Sequence, residues 1–283
     1  MRQVCQLGKL LREAGFRPIP ASSGAYIVSD GETQHPALIR LLGNGSAHWV
    51  SILVSVGKPV PRAARLWDLL RLSLEMDLWK VCLIDLEELA LAIDLPPEQA
   101  SPIVLRATVT LGRELAAVAS KGVTRAGFHE IVCRTHQAYQ TGGSDGTLEW
   151  LVAAEIANWE VKESVGNNAH LRLGGSDVFV RQLGSLYAAY TFTDLYLPRT
   201  DWLFLLALNR TLDGCKIGFS QSGELVLAAE IHTPADEVCL IHLVHGLMLA
   251  CKRVIPVARY LAAENGVAGT SFWSSWRRRI LGW

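Results

Sequence analysis

The feature that most constrains the fold is an internal repetition. The stretch ELALAIDL at 88–95 returns as ELVLAAEI at 224–231, and the likeness extends well beyond it. A shift of about 136 residues places Leu69, Leu70 and Leu72 on Leu205, Leu206 and Leu208, Asp77 on Asp213, Lys80 on Lys216, and Glu88-Leu89 on Glu224-Leu225. Many strands share alternation, but a preceding Asp-x-x-Lys is not part of that shared pattern. The chain therefore reads as one unit written twice. Two unrelated αβ pieces of similar composition are the competing reading.

Each copy reads in the order α-β-β-β-α-β-β-α. In the first, Val4, Leu7, Leu10 and Leu11 form one helical face, and Gly15 ends that helix. Strands follow at 25–30, 36–42 and 48–56, then a helix near 62–77, a strand pair in KVCLI and ELALAIDL, and a long helix opening on prolines. The second copy has a helix at 147–157, strands at 169–173, 177–183 and 186–197, a helix in DWLFLLALNRTL, the strand pair, and a helix over 234–262. The expected class is α+β, with antiparallel sheets and helices. The divisions are a first copy over 1–122, a connecting helix and glycine-rich linker over 123–146, a second copy over 147–264, and a Trp/Arg-rich tail over 265–283.

Composition narrows the function classes. Lys plus Arg equals Asp plus Glu at 27 each, so no net basic field draws the chain to nucleic acid. Half of the residues are hydrophobic and 19% charged, enough for a large core with apolar surface left for a partner. The amphipathic N-terminal segment does not read as a signal peptide, the apolar run 238–251 is too short to span a bilayer, and the six cysteines form no CxxC pair. A reduced, cytoplasmic setting is the expectation.

This order of elements resembles the type III secretion chaperone-like fold, and more closely the YbjN family within it. The wording that carries the resemblance is LGKLLREAGFRP in the opening helix and KVCLIDLEELALAIDLP in the strand pair. The resemblance spans about 3–122 and 147–264. It implies a non-enzymatic, often dimeric protein that holds segments of other polypeptides, with no shared catalytic set to carry over.

The helix near 62–77 is apolar around more than one face, through Leu66, Trp67, Leu69, Leu70, Leu72, Leu74 and Met76. Its counterpart runs from Trp202 through Leu206 to Leu208 without a polar residue. One face covers its own sheet, and the other needs a second surface. The sister copy is the nearest, giving an intramolecular pseudo-dimer; complete burial within one domain is the alternative. Trp67, Leu70, Trp202 and Leu206 are accordingly the expected partner-binding residues of the body.

Other clusters read as structural. His129, Cys133 and His136 share a helix face without a recognised zinc spacing, and His242 and His245 lack an orienting partner. The Gly-rich stretches GNGSAH and GGSD match no phosphate loop. The acidic set Asp85, Glu87, Glu88 and Asp94 reads as a solvated sheet face. No catalytic residue, metal or cofactor is expected. In the tail, Trp273, Trp276, Ile280 and Trp283 fall at helical spacing with Arg277, Arg278 and Arg279 between them. A disordered tail is the first reading of that pattern, docking in a partner groove the second and contact with a membrane surface the third. The expected function is a chaperone-like or adaptor protein that binds another polypeptide and assists assembly of a larger complex. A permanently bound structural or regulatory subunit is the alternative, and an enzyme with an unrecognised site comes third.

Overall fold

The computed structural model describes residues 2–22, 24–28, 35–44, 47–59, 63–84, 88–122, 124–140, 148–197, 202–232 and 236–263. The first half runs α1 (Arg2–Glu13), β1 (Pro18–Ser22), β2 (Ala25–Val28), β3 (Ala37–Asn44), β4 (Ala47–Pro59), α2 (Ala63–Glu75), β5 (Lys80–Ile84), β6 (Glu88–Leu95) and α3 (Pro102–Ser120). The second runs α5 (Leu148–Ile156), β7 (Glu160–Val165), β8 (Asn168–Leu173), β9 (Ser176–Leu183), β10 (Leu186–Phe192), α6 (Trp202–Asn209), β11 (Cys215–Phe219), β12 (Leu225–His232) and α7 (Glu237–Ala263). Between them stands α4 (Arg125–Tyr139), capped by Thr124, whose side chain accepts from the Gly127 N–H.

The halves fold alike, as two six-stranded antiparallel sheets ordered β1-β2-β3-β4-β6-β5 and β7-β8-β9-β10-β12-β11. The α+β class and the paired layout match the sequence reading, with one correction. Each half has four strands ahead of its middle helix, not three. The strands passed over are β1, PIPAS, and β7, EVKESV, the outer edge of each sheet. Both lack an alternating apolar face, because an edge strand covers little of the core.

The inner face of the first sheet carries α3, which presents Leu105, Val109, Leu115, Ala116 and Ala119 to β4 and β6. The inner face of the second carries α7, which packs on β10, β12 and α5. At 27 residues α7 is longer than the apolar run within it. It is the one helix among the described residues long and apolar enough to cross a membrane by length and composition.

The middle helices cross over. α2 lies on β11 of the other half, α6 lies on β5, and α2 and α6 meet. Gly218 allows the first approach: a Cβ there would fall 2.5 Å from the Leu70 carbonyl oxygen and 2.6 Å from Leu74 Cβ. One hydrophobic core results, running without a break from Leu7 in α1 to Leu261 in α7.

The repeated Asp-x-x-Lys explains this junction. Lys80 Nζ lies 2.6 Å from Asp94 Oδ2 and also donates to the backbone carbonyls of Leu212 and Cys215 in the other half. Lys216 Nζ lies 2.8 Å from Glu230 Oε2 and donates to the Met76 carbonyl. The carboxylates reciprocate: the Gly214 N–H donates to Asp94 and the Leu78 N–H to Glu230. Apart from the Lys80 bond to the Cys215 carbonyl, each of these contacts has its mate about 136 residues away, the self-complementary pattern of an isologous interface. Leu78 and Gly214, at matching positions, both have positive φ, 61° and 65°. Ser73 and Asn209 also match, and they meet each other: Asn209 Nδ2 lies 3.1 Å from Ser73 Oγ and 3.0 Å from the carbonyls of Val81 and Ile217. The expectation of a solvated acidic face is corrected at Asp94, which is buried with Lys80 because the sister half covers it.

Candidate functional site

The outer faces of the two sheets differ in aromatic content, and the second lines a cleft. On the outer face of the first sheet, Leu53, Cys82, Ala90 and Ala92 are buried in a small cluster with Leu38 and Ile84 beside them. On the second sheet the matching Val226 and Ala228 are buried too, while the row toward the β7 edge is part-exposed, as Ile19 and Ile27 are on the first sheet. Cross-strand register places Glu163, His170, Phe179 and Tyr190 in one row over β7, β8, β9 and β10. Phe179 stacks on His170 at 4.5 Å between ring centroids and meets Phe192 edge-on at 5.4 Å. Both phenylalanines remain exposed, at 38% and 45%.

This row is the floor of a cleft of about 990 Å³. Its wall comes from the first half and the connecting helix: Leu74 and Glu75 of α2, Asp77 beyond it, and Val132 and His136 of α4, with Gln140 at the helix end. The connecting helix thus completes a wall begun by the first half over a floor from the second. α4 is fixed there by polar bonds. The Thr135 hydroxyl accepts from the Asp77 N–H, and the Gln140 amide donates to Asp77 Oδ2 at 2.8 Å.

At the inner end of the cleft, Tyr190 points its hydroxyl toward Glu230, at 3.5 Å. Burial and then the Glu230 charge hold the Tyr190 phenol well above its ordinary range. Burial, followed by repulsion from Glu230, pushes Asp77 up to about 6, against the opposing pull of His136, Lys216 and the Gln140 amide. These groups hold the two halves in register, and Lys216 is committed to Glu230 and the Met76 carbonyl. The rim adds exposed Glu163 from β7 and exposed Arg181 from β9. Physically, the cleft offers an aromatic floor, an acid-rich wall and, along β7, a strand edge paired on one side only.

The edges of the two sheets are not equivalent. β1 carries Pro18 and Pro20, which lack the N–H that an added strand needs. β5 and β11 lie under α6 and α2. β7 has no proline, and all six of its residues are exposed.

Among the residues expected to bind a partner, Leu70 and Leu206 are fully buried and Trp202 is 7% exposed. Trp67 of α2 stacks on Phe219 of β11 at 4.8 Å and lies 5.5 Å from Trp202 of α6. The surface that meets these four is the sister half. Trp273, Trp276, Arg277, Arg278 and Trp283 lie outside the described residues. His129 lies 3.5 Å from Cys133 Sγ, while His136 turns to Asp77, 3.6 Å away. The described residues contain no group of three His, Cys, Asp or Glu side chains placed to hold a metal. Phe179 and Phe192 drew no attention in the sequence, although a signal was there. Aligned through the sheets, they stand where the first half has Leu38 and Ser55, aromatic in one copy and not in the other.

No family model matches the sequence, and no curated protein matches it. Among solved structures, a chain of the heterodimeric complex ExoU-SpcU from the type III secretion system of Pseudomonas aeruginosa is similar at 22% identity, over 38% of this chain and 95% of that one, with a TM-score of 0.33. A likeness of that size fixes neither fold nor function for this chain.

Proposed function

We propose that this protein is a non-catalytic, chaperone-like or adaptor protein that takes an extended segment of another polypeptide into the cleft of its second sheet. The observation that carries this reading is the part-exposed aromatic floor of Phe179 and Phe192 within the cleft. The segment lies in the cleft over β8 to β10, and its apolar side chains meet the floor. Its backbone supplies affinity and the Phe179 and Phe192 rings select apolar side chains. No chemistry on the partner is involved.

The same proposal includes the origin of the chain. The matched bonds at the junction support a duplicated unit of the type III secretion chaperone-like, YbjN-like shape, in which the second copy carries the aromatic binding face. Cys82, Cys133, Cys215, Cys239 and Cys251 are free thiols, which suits a reduced, cytoplasmic setting.

Displayed random peptides selected on the wild-type protein test the reading. Selected peptides should bind wild type and lose about tenfold or more in affinity, about 1.4 kcal/mol, on a Phe179→Asp/Phe192→Asp variant. Because both rings are exposed, that variant should keep its unfolding midpoint. Peptides that bind both proteins equally, or a selection that yields no binder, would count against the cleft.

A further inference from the structure

We propose that one water molecule binds at the centre of the junction and joins the two ion pairs, accepting from Lys216 Nζ and donating to Asp94 Oδ1. The bonds of the two pairs, matched across the pseudo-twofold, do not balance. Lys80 uses all three of its N–H groups, on Asp94 and on the Leu212 and Cys215 carbonyls. Its mate Lys216 has acceptors for two among the described residues, Glu230 and the Met76 carbonyl. The carboxylates differ in the same way. Glu230 accepts from Lys216 and the Leu78 N–H on Oε2, and its Oε1 faces the Tyr190 hydroxyl. Asp94 accepts from Lys80 and the Gly214 N–H on Oδ2, while its Oδ1 is buried and meets no donor among the described residues. One donor and one acceptor are left over, one from each half.

Both belong to one crevice. It is lined by the two ion pairs together with Leu78, Gly214 and Cys215, so that three of its residues stand beside their own mates on the pseudo-twofold. Its room of about 10 Å³ is that of a single water. The four charged side chains are 3–4% exposed. A water in so polar and so small a site needs at least two partners, and the leftover pair supplies them. Charge argues against other small occupants. A cation would meet the spare N–H of Lys216, and an anion would meet the spare oxygen of Asp94; a water both accepts and donates. A rival donor stands near Asp94. Arg40 Nε is also buried without a partner among the described residues, and Arg40 lies close enough to feel the Asp94 charge. Cross-strand register places Ser51 between Arg40 and Asp94, however, and Arg40 does not line the crevice. Each ion pair lies within one half, so the water links the two pairs across the junction.

A crystal structure of the full chain, at a resolution that shows ordered solvent, tests the assignment on the unaltered protein. The expected result is one peak of density roughly 2.7–3.2 Å from both Asp94 Oδ1 and Lys216 Nζ. A direct contact between Lys216 and Asp94, a peak bonded to Arg40 Nε in place of Lys216, or no peak between the pairs would each overturn the proposal. A second set of crystals, grown in rubidium bromide, separates water from ions. The peak should carry no anomalous signal at the rubidium or the bromine absorption edge. Signal at either edge would make the occupant an ion, and the proposal of a bridging water would fall.

Discussion

Asp77 joins the two halves to the cleft. It begins the repeated Asp-x-x-Lys, accepts from Gln140 of the cleft wall, and sits close enough to Glu230 to feel its charge. Because its folded pKa is raised to about 6 from a normal value near 4, the folded state holds this proton more tightly than the unfolded chain does. Its contribution to stability is therefore present at low pH and is lost as pH rises from about 4 through about 6. Asp77→Asn keeps an acceptor for Gln140 and removes the charge. The variant should gain about 1–2 kcal/mol at pH 7.5 and much less at pH 4.5, since one pKa unit corresponds to about 1.4 kcal/mol. Urea unfolding at the two pH values checks this; an equal gain at both would mean that the charge of Asp77 does not matter. The sequence exposed the importance of this residue through its repetition at Asp213, where burial again raises the carboxyl pKa. It hid the roles of Asp94 and Glu230. Alternation along a single strand assigns charged residues to water, and only the sister half buries them.

Elements differ in how plainly they are written. α2 and α6 announced a second buried face because their apolar residues exceed one helical stripe, and the structure spends that surplus on the opposite half. β1 and β7 left no such trace, having no core face to encode. The cleft was the least legible feature of all, because its floor and wall come from β7 to β10, α2 and α4, which no local pattern links. α2 connects these observations, since Trp67 at one end packs on Phe219 and Trp202 while Leu74 and Glu75 at the other line the cleft. Trp67→Ala should remove the stack and destabilise the protein by about 2–4 kcal/mol, somewhat below the range for full aromatic truncation in a core because Trp67 is half-buried. Chemical denaturation measures the loss. A change below about 0.5 kcal/mol, the level of an ordinary surface substitution, would show that the aromatic cluster does not fasten α2 to the second half.

At the scale of the whole molecule, symmetry builds the scaffold and its breaking provides the site. Two halves that share one core and one set of reciprocal bonds should unfold together, and the Lys216–Glu230 pair tests that union. In most proteins a buried ion pair can be replaced by apolar residues at little cost, whereas removal of one partner costs about 3–5 kcal/mol. Here the pair has further duties across the junction, because Lys216 donates to the Met76 carbonyl and Glu230 accepts from the Leu78 N–H. Lys216→Met should therefore cost about 3–5 kcal/mol. The double variant Lys216→Met/Glu230→Leu should still cost about 2 kcal/mol or more, because two buried backbone groups of the first half lose their partners. Equilibrium unfolding, followed by hydrogen exchange at β4 and at β10, should show one transition in wild type and in both variants. A double variant as stable as wild type would reduce the pair to an internal feature of the second half. Separate transitions for β4 and β10 would show that the core common to both halves does not unite them, and that the cleft, whose floor and wall come from opposite halves, opens whenever either half does.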